Sequence, residues 1–143
     1  MDQAVQCYPE EDKYFKTESQ AFPWFQIDLQ EIRIVIGLTI YFRDDAFKPP
    51  YNHFTNIKIV VLNEPLEGQI NEETISNFES ELCYNLDSLP NPRKHKLDVK
   101  CDFALEGRYI AVIKNDKDKS FISLNEVVPI LHGKYLHSSL YVK

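Results

Sequence analysis

The chain has 143 residues, of which 43% are hydrophobic and 27% charged, a globular balance for one domain that excludes a disordered chain. Acidic residues outnumber basic ones by 22 to 16, and the resulting net charge of −6 opposes binding to a phosphate backbone, so we expect no nucleic-acid partner. No apolar run approaches the roughly 20 residues that span a bilayer. The first residues lack the basic start and apolar core of a secretion signal. We therefore expect neither membrane insertion nor a signal peptide within this chain.

Short runs of apolar and β-branched residues recur with a period of two, which predicts strands rather than helices. Many short strands at this spacing are typical of a sandwich or a barrel. Residues 72–82 could instead form a short helix, and a loop or a single helical turn stay open as alternatives. The strand runs, in chain order, are Trp24–Leu29, Ile32–Phe42, Phe54–Leu62, Leu97–Phe103, Arg108–Lys114 and Ile122–Leu131.

Polar connections containing Pro, Asn or Asp separate these runs and predict loops. On all-β scaffolds such loops commonly carry function, so binding residues are expected there. The connections are Arg43–Asn52, Asn63–Asn71, Leu86–Lys94 and Asn115–Ser120.

Catalytic motifs are absent from the sequence. It contains no nucleophile elbow, no zinc-protease motif and no Gly-rich phosphate loop, and it has only four glycines. Paired acids such as Asp44–Asp45 and Glu72–Glu73 lie in polar segments with lysine nearby, where solvated surface is the more common role. We expect a protein that is not an enzyme.

The three cysteines are Cys7, Cys83 and Cys101, and none is in a C-x-x-C pair, so a zinc site is not indicated. A bridge between Cys83 and Cys101 would stabilise the fold by about 3 kcal/mol in an oxidising compartment. Two reduced buried thiols remain the alternative on these grounds.

A family resemblance extends through most of the chain. The segment Pro23–Leu29, PWFQIDL, resembles the P-W-W-x-V-D-L strand of the fucolectin family, the F-type lectins, and more loosely the W-x-Q-V-D-L strand of discoidin domains. The resemblance implies an all-β fold, a galactose-binding-like jelly-roll β-sandwich of antiparallel sheets. It would cover residues 1–131, and the tail 132–143 is long enough to add an edge strand. Further segments resemble the family in the same order: Gly37–Phe42, Arg43–Asp45, Asn52–Val61, Gly107–Val112 and Leu124–Val128.

Members of that family bind fucose through a histidine, an R-x-D segment and a second cation. Twenty-six residues separate Lys16 from Arg43, so the histidine position falls on Lys16. Asp45 occupies the acidic position, while the second cation is replaced by Pro50. Arg43 presents a fork of donors to sugar hydroxyls and Asp45 can hold that guanidinium in place. The proline has no donor, so the resemblance implies a partly degenerate fucose site.

Two further residues can compensate within the same loop. Lys48 lies two residues before the lost cation position and can supply a donor, and Phe47 can supply an apolar surface for the sugar. On the residues alone, a surface salt bridge between Arg43 and Asp45 and a core position for Phe47 stay open. The predicted sugar-binding residues are Lys16, Arg43, Asp45, Phe47 and Lys48.

The family also holds a structural calcium ion, and its A-V-D-G-N loop appears here as Ala4–Tyr8, AVQCY. The carboxylate and glycine that shape an oxygen cage are missing. Glu126 matches an acid of the closing strand and is the remaining candidate ligand. We therefore expect no cofactor and a lost calcium site. Asn125 stands where the family has a cysteine, so the resemblance implies a Cys83–Cys101 bridge and a free Cys7.

The resemblance implies a non-enzymatic carbohydrate-binding module of the fucolectin type. Its partner would be a glycan or glycoprotein, and a secreted or extracellular location would follow. The alternative is a protein-protein interaction module on the same sandwich, in which the loops after Phe42 and Leu86 hold a partner chain and no sugar binds.

Overall fold

The computed structural model describes residues 5–8, 14–42, 54–87, 96–132 and 134–135. These residues form nine strands and one short helix, and no helix among them is long and apolar enough to cross a membrane. The elements are β1 (Val5–Tyr8), β2 (Tyr14–Thr17), β3 (Trp24–Tyr41), β4 (Ile57–Leu62), α1 (Glu72–Ser76), β5 (Leu82–Leu86), β6 (Lys96–Lys114), β7 (Ser123–Leu124), β8 (Glu126–Leu131) and β9 (Lys134–Tyr135).

The strands are arranged in two antiparallel groups, ordered β5-β4-β6-β3-β8-β9 and β1-β2-β7. The long strands β3 and β6 pair along most of their length, and each contains a bulge. Residues 29–32 of β3 lie opposite Arg108 alone, and residues 101–104 of β6 lie opposite Ile36 alone. Because bulges bend a strand and increase its twist, both long strands turn sharply within the sheet.

The bends convert the six-stranded sheet into two facing layers. Before the bulge of β3 the odd-numbered Phe25 and Ile27 contribute to the main core, whereas after it the even-numbered Leu38 and Ile40 do so. These four side chains belong to one buried cluster. The first half of β3 therefore lies in one layer and the second half in the facing layer, and the two halves pack against each other. The predicted all-β, galactose-binding-like β-sandwich is confirmed. Leu124 of β7 joins the same core from the smaller sheet.

A disulfide crosses this core. Cys83 on β5 and Cys101 on the bulge of β6 are bonded, although β4 lies between their strands in the sheet order. Both cysteines are buried in the main cluster. The bridge implied by the family resemblance is therefore present, and it joins the two layers rather than two neighbouring strands.

The outer face of the layer that holds β4 and the first half of β3 has its own apolar cover. Residues 63–81, including α1, pack over Trp24 and its neighbours. The indole Nε1 of Trp24 donates to the Gly68 carbonyl at 3.0 Å. The Gln26 amide donates to the Leu66 carbonyl at 3.3 Å and accepts from the Leu66 amide at 2.9 Å. These polar contacts hold the covering segment in register on the sheet.

Local chemistry explains where the strand predictions differ from the structure. The sequence predicts separate strands at Trp24–Leu29 and Ile32–Phe42, whereas the structure has one strand, Trp24–Tyr41, that continues through the bulge. Gln30 has a positive φ of 72°, and its backbone N–H donates to the Asp28 carboxylate at 2.7 Å. The polar interruption therefore marks a bulge and not a loop.

Both ends of the chain add short edge elements. β9, at residues 134–135, pairs with Ile130 and Leu131 of β8 at the edge of the six-stranded sheet. Residues 136–143 lie outside the described residues.

The open alternative at residues 72–82 resolves to a helix of five residues, Glu72–Ser76, with Asn71 as its N-cap.

Candidate functional site

Two predicted loops leave the sandwich side by side. The first loop segment (residues 43–53) and the second loop segment (residues 88–95) lie outside the described residues, but the residues that flank them contact one another. Tyr41, which precedes the first segment, pairs with Lys96, which follows the second. At the opposite flanks, the backbone N–H of Asn56 donates to the backbone carbonyl of Asp87 at 2.9 Å. Both segments therefore begin and end at the same end of the fold, which we call the loop end.

The first loop segment is closed at its base by two phenylalanines. The rings of Phe42 and Phe54 meet edge to face, with centroids 4.9 Å apart, and each is 3% exposed. Edge-to-face aromatic pairs stabilise beyond the area they bury. Next to them the backbone N–H of Asn125 donates to the Tyr41 carbonyl at 2.8 Å. The buried side-chain oxygen of Asn125 accepts no hydrogen bond from any residue that the structure describes, so an acceptor without a described donor lies at the base of the loop end.

A buried ammonium supports the other flank. Lys114, at the end of β6, is 4% exposed, and its Nζ donates to Thr55 Oγ1 at 3.2 Å. Burial lowers the pKa of Lys114, and the negative charge of Asp116 partly opposes that shift. The Asn115 amide donates to the Asn56 carbonyl at 2.7 Å. The strand ends that carry the loops are therefore fixed by polar as well as apolar contacts.

Lys16, the residue at the family's histidine position, is in the smaller sheet. Its backbone pairs with Gln6 on one side and Ser123 on the other. Ser123 is two residues from Asn125, which bonds Tyr41 at the loop end. Lys16 is therefore connected to the end of β3 by two backbone contacts. Lys16 pairs with Ser123, and Asn125, two residues further along, bonds Tyr41. Its side chain is not among those described.

The other predicted sugar-binding residues are in the first loop segment, outside the described residues. Their roles stay predictions, and what is established is the position of the strand ends from which the segment starts and to which it returns. These residues are Arg43, Asp45, Phe47 and Lys48.

Glu126, the candidate calcium ligand, is the first residue of β8 and pairs with Tyr41. Among the described side chains, no three or more His, Cys, Asp or Glu groups are placed to hold a metal ion. The side chains of residues 5–8 are not described, so the loss of the calcium site remains a prediction. Glu126 instead lines a groove on a face of the sheet that no described residue covers.

This groove, which we call the sheet groove, has a volume of about 760 Å³ and crosses β6, β3 and β8. It lies on the outer face of the second layer, whereas residues 63–81 cover the outer face of the first. Sequence analysis did not identify it, although the alternation in β6 was a usable signal because outward positions alternate with core positions. The lining residues are Ile36, Thr39, Tyr41, Lys96, Asp98, Val99, Lys100, Glu126, Val128 and Ile130.

The polar groups at the centre of the sheet groove are already ordered. Thr39 Oγ1 donates to Asp98 Oδ1 at 2.8 Å, and Lys96 Nζ lies 3.8 Å from Asp98 Oδ2. The side chains of Glu126 and Lys100 have no hydrogen bond or ion pair with any residue that the structure describes. The groove thus combines a fixed network with two charged groups available to a ligand.

Comparisons with known proteins identify similar structures. No protein-family model and no curated protein sequence matches the chain. The lectin domain of lectinolysin, solved in complex with Lewis b antigen, is 25% identical over 82% of this chain and 70% of that one, with a TM-score of 0.58. A fucolectin from striped bass (Morone saxatilis) serum is 16% identical over 90% of this chain and 36% of that one, with a TM-score of 0.58. A fucose-binding module from Streptococcus pneumoniae is 18% identical over 90% and 93%, with a TM-score of 0.57.

Proposed function

Because the chain has the fold of the fucose-binding lectin domains, the F-type lectins, we propose that it is a non-enzymatic carbohydrate-binding module. The observation that carries the proposal is the match over 82% of the chain to a lectin domain solved with a bound glycan antigen. Fold alone does not assign a function, so the argument depends on the residues at the loop end.

The proposed sugar site is built on the loop end around three polar residues, with one further lysine and one phenylalanine of the first loop segment. Arg43 directly follows Phe42 in the chain, and Phe42 and its neighbour Tyr41 are held by the Phe54 ring and by the backbone N–H of Asn125, respectively. A guanidinium offers several donors in one plane to sugar hydroxyls, and Asp45 orients it. Lys16, whose backbone belongs to the neighbouring sheet, supplies a second cation. Phe47 and Lys48 complete the site as an apolar surface and a substitute donor.

The site is expected to hold free fucose weakly. Pro50 replaces the second cation of the family motif, and the loss of one charged hydrogen bond lowers affinity roughly tenfold to a hundredfold. A larger glycan compensates by contacting more of the surface. We therefore propose a glycan or glycoprotein ligand with several sugar rings.

An extracellular location is part of the same proposal. The Cys83–Cys101 bridge belongs to the kind of crosslink that persists in oxidising compartments, including the cell exterior. Glycans and glycoproteins are accessible there.

The test is a glycan array followed by calorimetry on the hits, with and without calcium. We expect Arg43→Ala to abolish the signal and Arg33→Ala, a control arginine on β3 that pairs with exposed Glu31, to leave it unchanged. Calcium removal should have no effect. Binding that survives Arg43→Ala would place the sugar site elsewhere.

An alternative function, as a protein-protein interaction module, draws no support from the solved structures that the chain resembles. An array without any hit, together with capture of a defined polypeptide by the loop end, would favour it over the lectin function.

A further inference from the structure

The sheet groove has a regular architecture that the loop-end site does not use. Three strands contribute residues in three rows across the groove. Tyr41, Thr39 and Gly37 of β3 each pair with one residue of β6 on one side and one residue of β8 on the other. Two residues along a strand advance by about 6.8 Å, so three rows cover about 14 Å. The rows are Lys96-Tyr41-Glu126, Asp98-Thr39-Val128 and Lys100-Gly37-Ile130.

Each row offers a different contact. In the first, the Tyr41 ring lies between a cation and a carboxylate, an arrangement that presents an apolar surface with polar groups at both sides. In the second, the bonded pair of Thr39 and Asp98 is a fixed polar centre. In the third, Gly37 adds no side chain to the floor, and a Cβ there would collide with the Val99 carbonyl oxygen.

We infer that the sheet groove is a second carbohydrate-binding surface, separate from the loop-end site, that takes a neutral oligosaccharide of roughly two to three linked rings. This inference rests on the proposed function in that its ligand is a carbohydrate. The apolar faces of the sugar rings lie on Tyr41, Val128 and Ile130. The hydroxyls meet Glu126 as an acceptor and Lys100 as a donor.

The charges of the groove select against other ligands. Its two lysines, Lys96 and Lys100, are balanced by Asp98 and Glu126. A polyanion such as a sulfated glycan would meet two carboxylates, and a basic peptide would meet two ammonium groups. A chain of hydroxyl groups can use both signs, because carboxylates accept and ammonium groups donate.

The experiment compares neutral oligosaccharides of one to four rings, the same sugars in sulfated form, and a neutral hydrophilic peptide. Calorimetry gives affinity, and amide chemical-shift changes in NMR locate the contact. We expect affinity to increase with ring number up to three, and shifts at Lys100, Val128 and Ile130. These residues lie in the two rows farther from the first loop segment.

Variants separate the groove from the loop end. Tyr41→Ala should weaken oligosaccharide binding about tenfold or more, whereas Tyr41→Phe, which keeps the ring, should retain most of it. Glu126→Gln should weaken it roughly tenfold, and Glu79→Gln, an exposed glutamate outside the groove, should not change it. Since Tyr41 precedes the first loop segment, thermal unfolding checks that each variant folds, and Glu126→Gln supplies the answer should Tyr41→Ala fail to fold.

The outcomes distinguish this inference from the proposed function. Oligosaccharide binding that Arg43→Ala abolishes and Glu126→Gln leaves intact, with shifts confined to the loop end, would overturn the groove and leave the lectin function standing. Preference for the sulfated sugars or the peptide would overturn the neutral-glycan assignment. Absence of any carbohydrate binding by the native protein would overturn both.

Discussion

The guanidinium of Arg108 contacts both carboxylate oxygens of Asp28, with Nε 2.7 Å from Oδ1 and Nη2 2.9 Å from Oδ2, across 80 positions of sequence. The hydrogen bond to Asp28 is the main reason why the pKa of Arg108 is raised. Asp28 belongs to the segment PWFQIDL and Arg108 to GRY, two of the features that carry the family resemblance. These two residues therefore hold the central strands together beside the bulge.

We predict that Asp28→Asn lowers the free energy of unfolding more than an exposed control substitution does, because the buried Asp28 carboxylate loses its charge-assisted hydrogen bonds to the partly exposed guanidinium of Arg108. The matched control is Glu31→Gln, whose ion pair with Arg33 is 3.6 Å long and whose side chain is 71% exposed; it should change stability by about 1 kcal/mol or less. Denaturant titration measures both. Equal effects of the two substitutions would contradict the structural role assigned to Asp28.

Gln26 is expected to control the order of the segment that covers the first layer. Gln26→Met keeps the side-chain volume but leaves the buried Leu66 amide and carbonyl without this partner, at a cost of about 1–3 kcal/mol. Limited proteolysis should then cut within residues 63–71 faster than in the native protein. Gln69→Ala removes an exposed side chain that bonds the Ala21 carbonyl and is the control. Unchanged cleavage in Gln26→Met would show that the Trp24–Gly68 hydrogen bond and apolar packing hold the segment without Gln26.

Removal of the disulfide by Cys83→Ser with Cys101→Ser should lower stability by about 3 kcal/mol, the chain-entropy value for a loop of this length. Since the bridge joins the two layers, the loss should appear as a lower midpoint of one cooperative transition. Thermal unfolding of the native protein with and without reductant measures the same difference. A Cys7→Ser variant is the control, and a stability loss in that variant similar to the loss on reduction would mean that Cys7 takes part in a bridge.

Burial of Lys114 predicts a pH dependence at alkaline pH. Its pKa in the folded protein is below the ordinary value of 10.5, so between the two values the unfolded chain binds more protons and stability rises with pH. The native protein should therefore gain stability relative to Lys114→Met as the pH approaches 10.5, and the difference should be constant at lower pH. A pH-independent difference for Lys114→Met would contradict the effect of burial.

Most of the strand content followed from side-chain alternation, because inward and outward positions repeat every two residues in a strand. The alternation did not reveal β5, whose run LCYNL is short and partly polar. It also divided β3 at Gln30, because a bulge maintained by a carboxylate and a positive φ resembles a turn in sequence. Which face of the sheet remains open depends on how residues 63–81 fold back, and this is a tertiary property.

The site was predictable to a different extent. Sequence spacing identified Lys16 and Arg43 through the resemblance, and the structure places the backbone of Lys16 near the loop end while Arg43 stays a prediction. Tyr41 and Glu126 gave no comparable signal of a shared groove, since 85 positions separate them. Their pairing across β3 and β8 depends on the register of two strands, and local patterns do not encode that register.

Loop substitutions usually change both the binding specificity of a protein and the stability of its scaffold. The contact between Phe42 and Phe54 separates these two properties. Because the two rings pack together in the core, contacts outside residues 43–53 hold the ends of β3 and β4, and each strand has its own pairing with β6. Residues 43–53 can therefore be replaced by another loop of similar span without rebuilding the sandwich. This makes the position a suitable graft site, where new glycan specificities could be selected from a library while the scaffold stays constant.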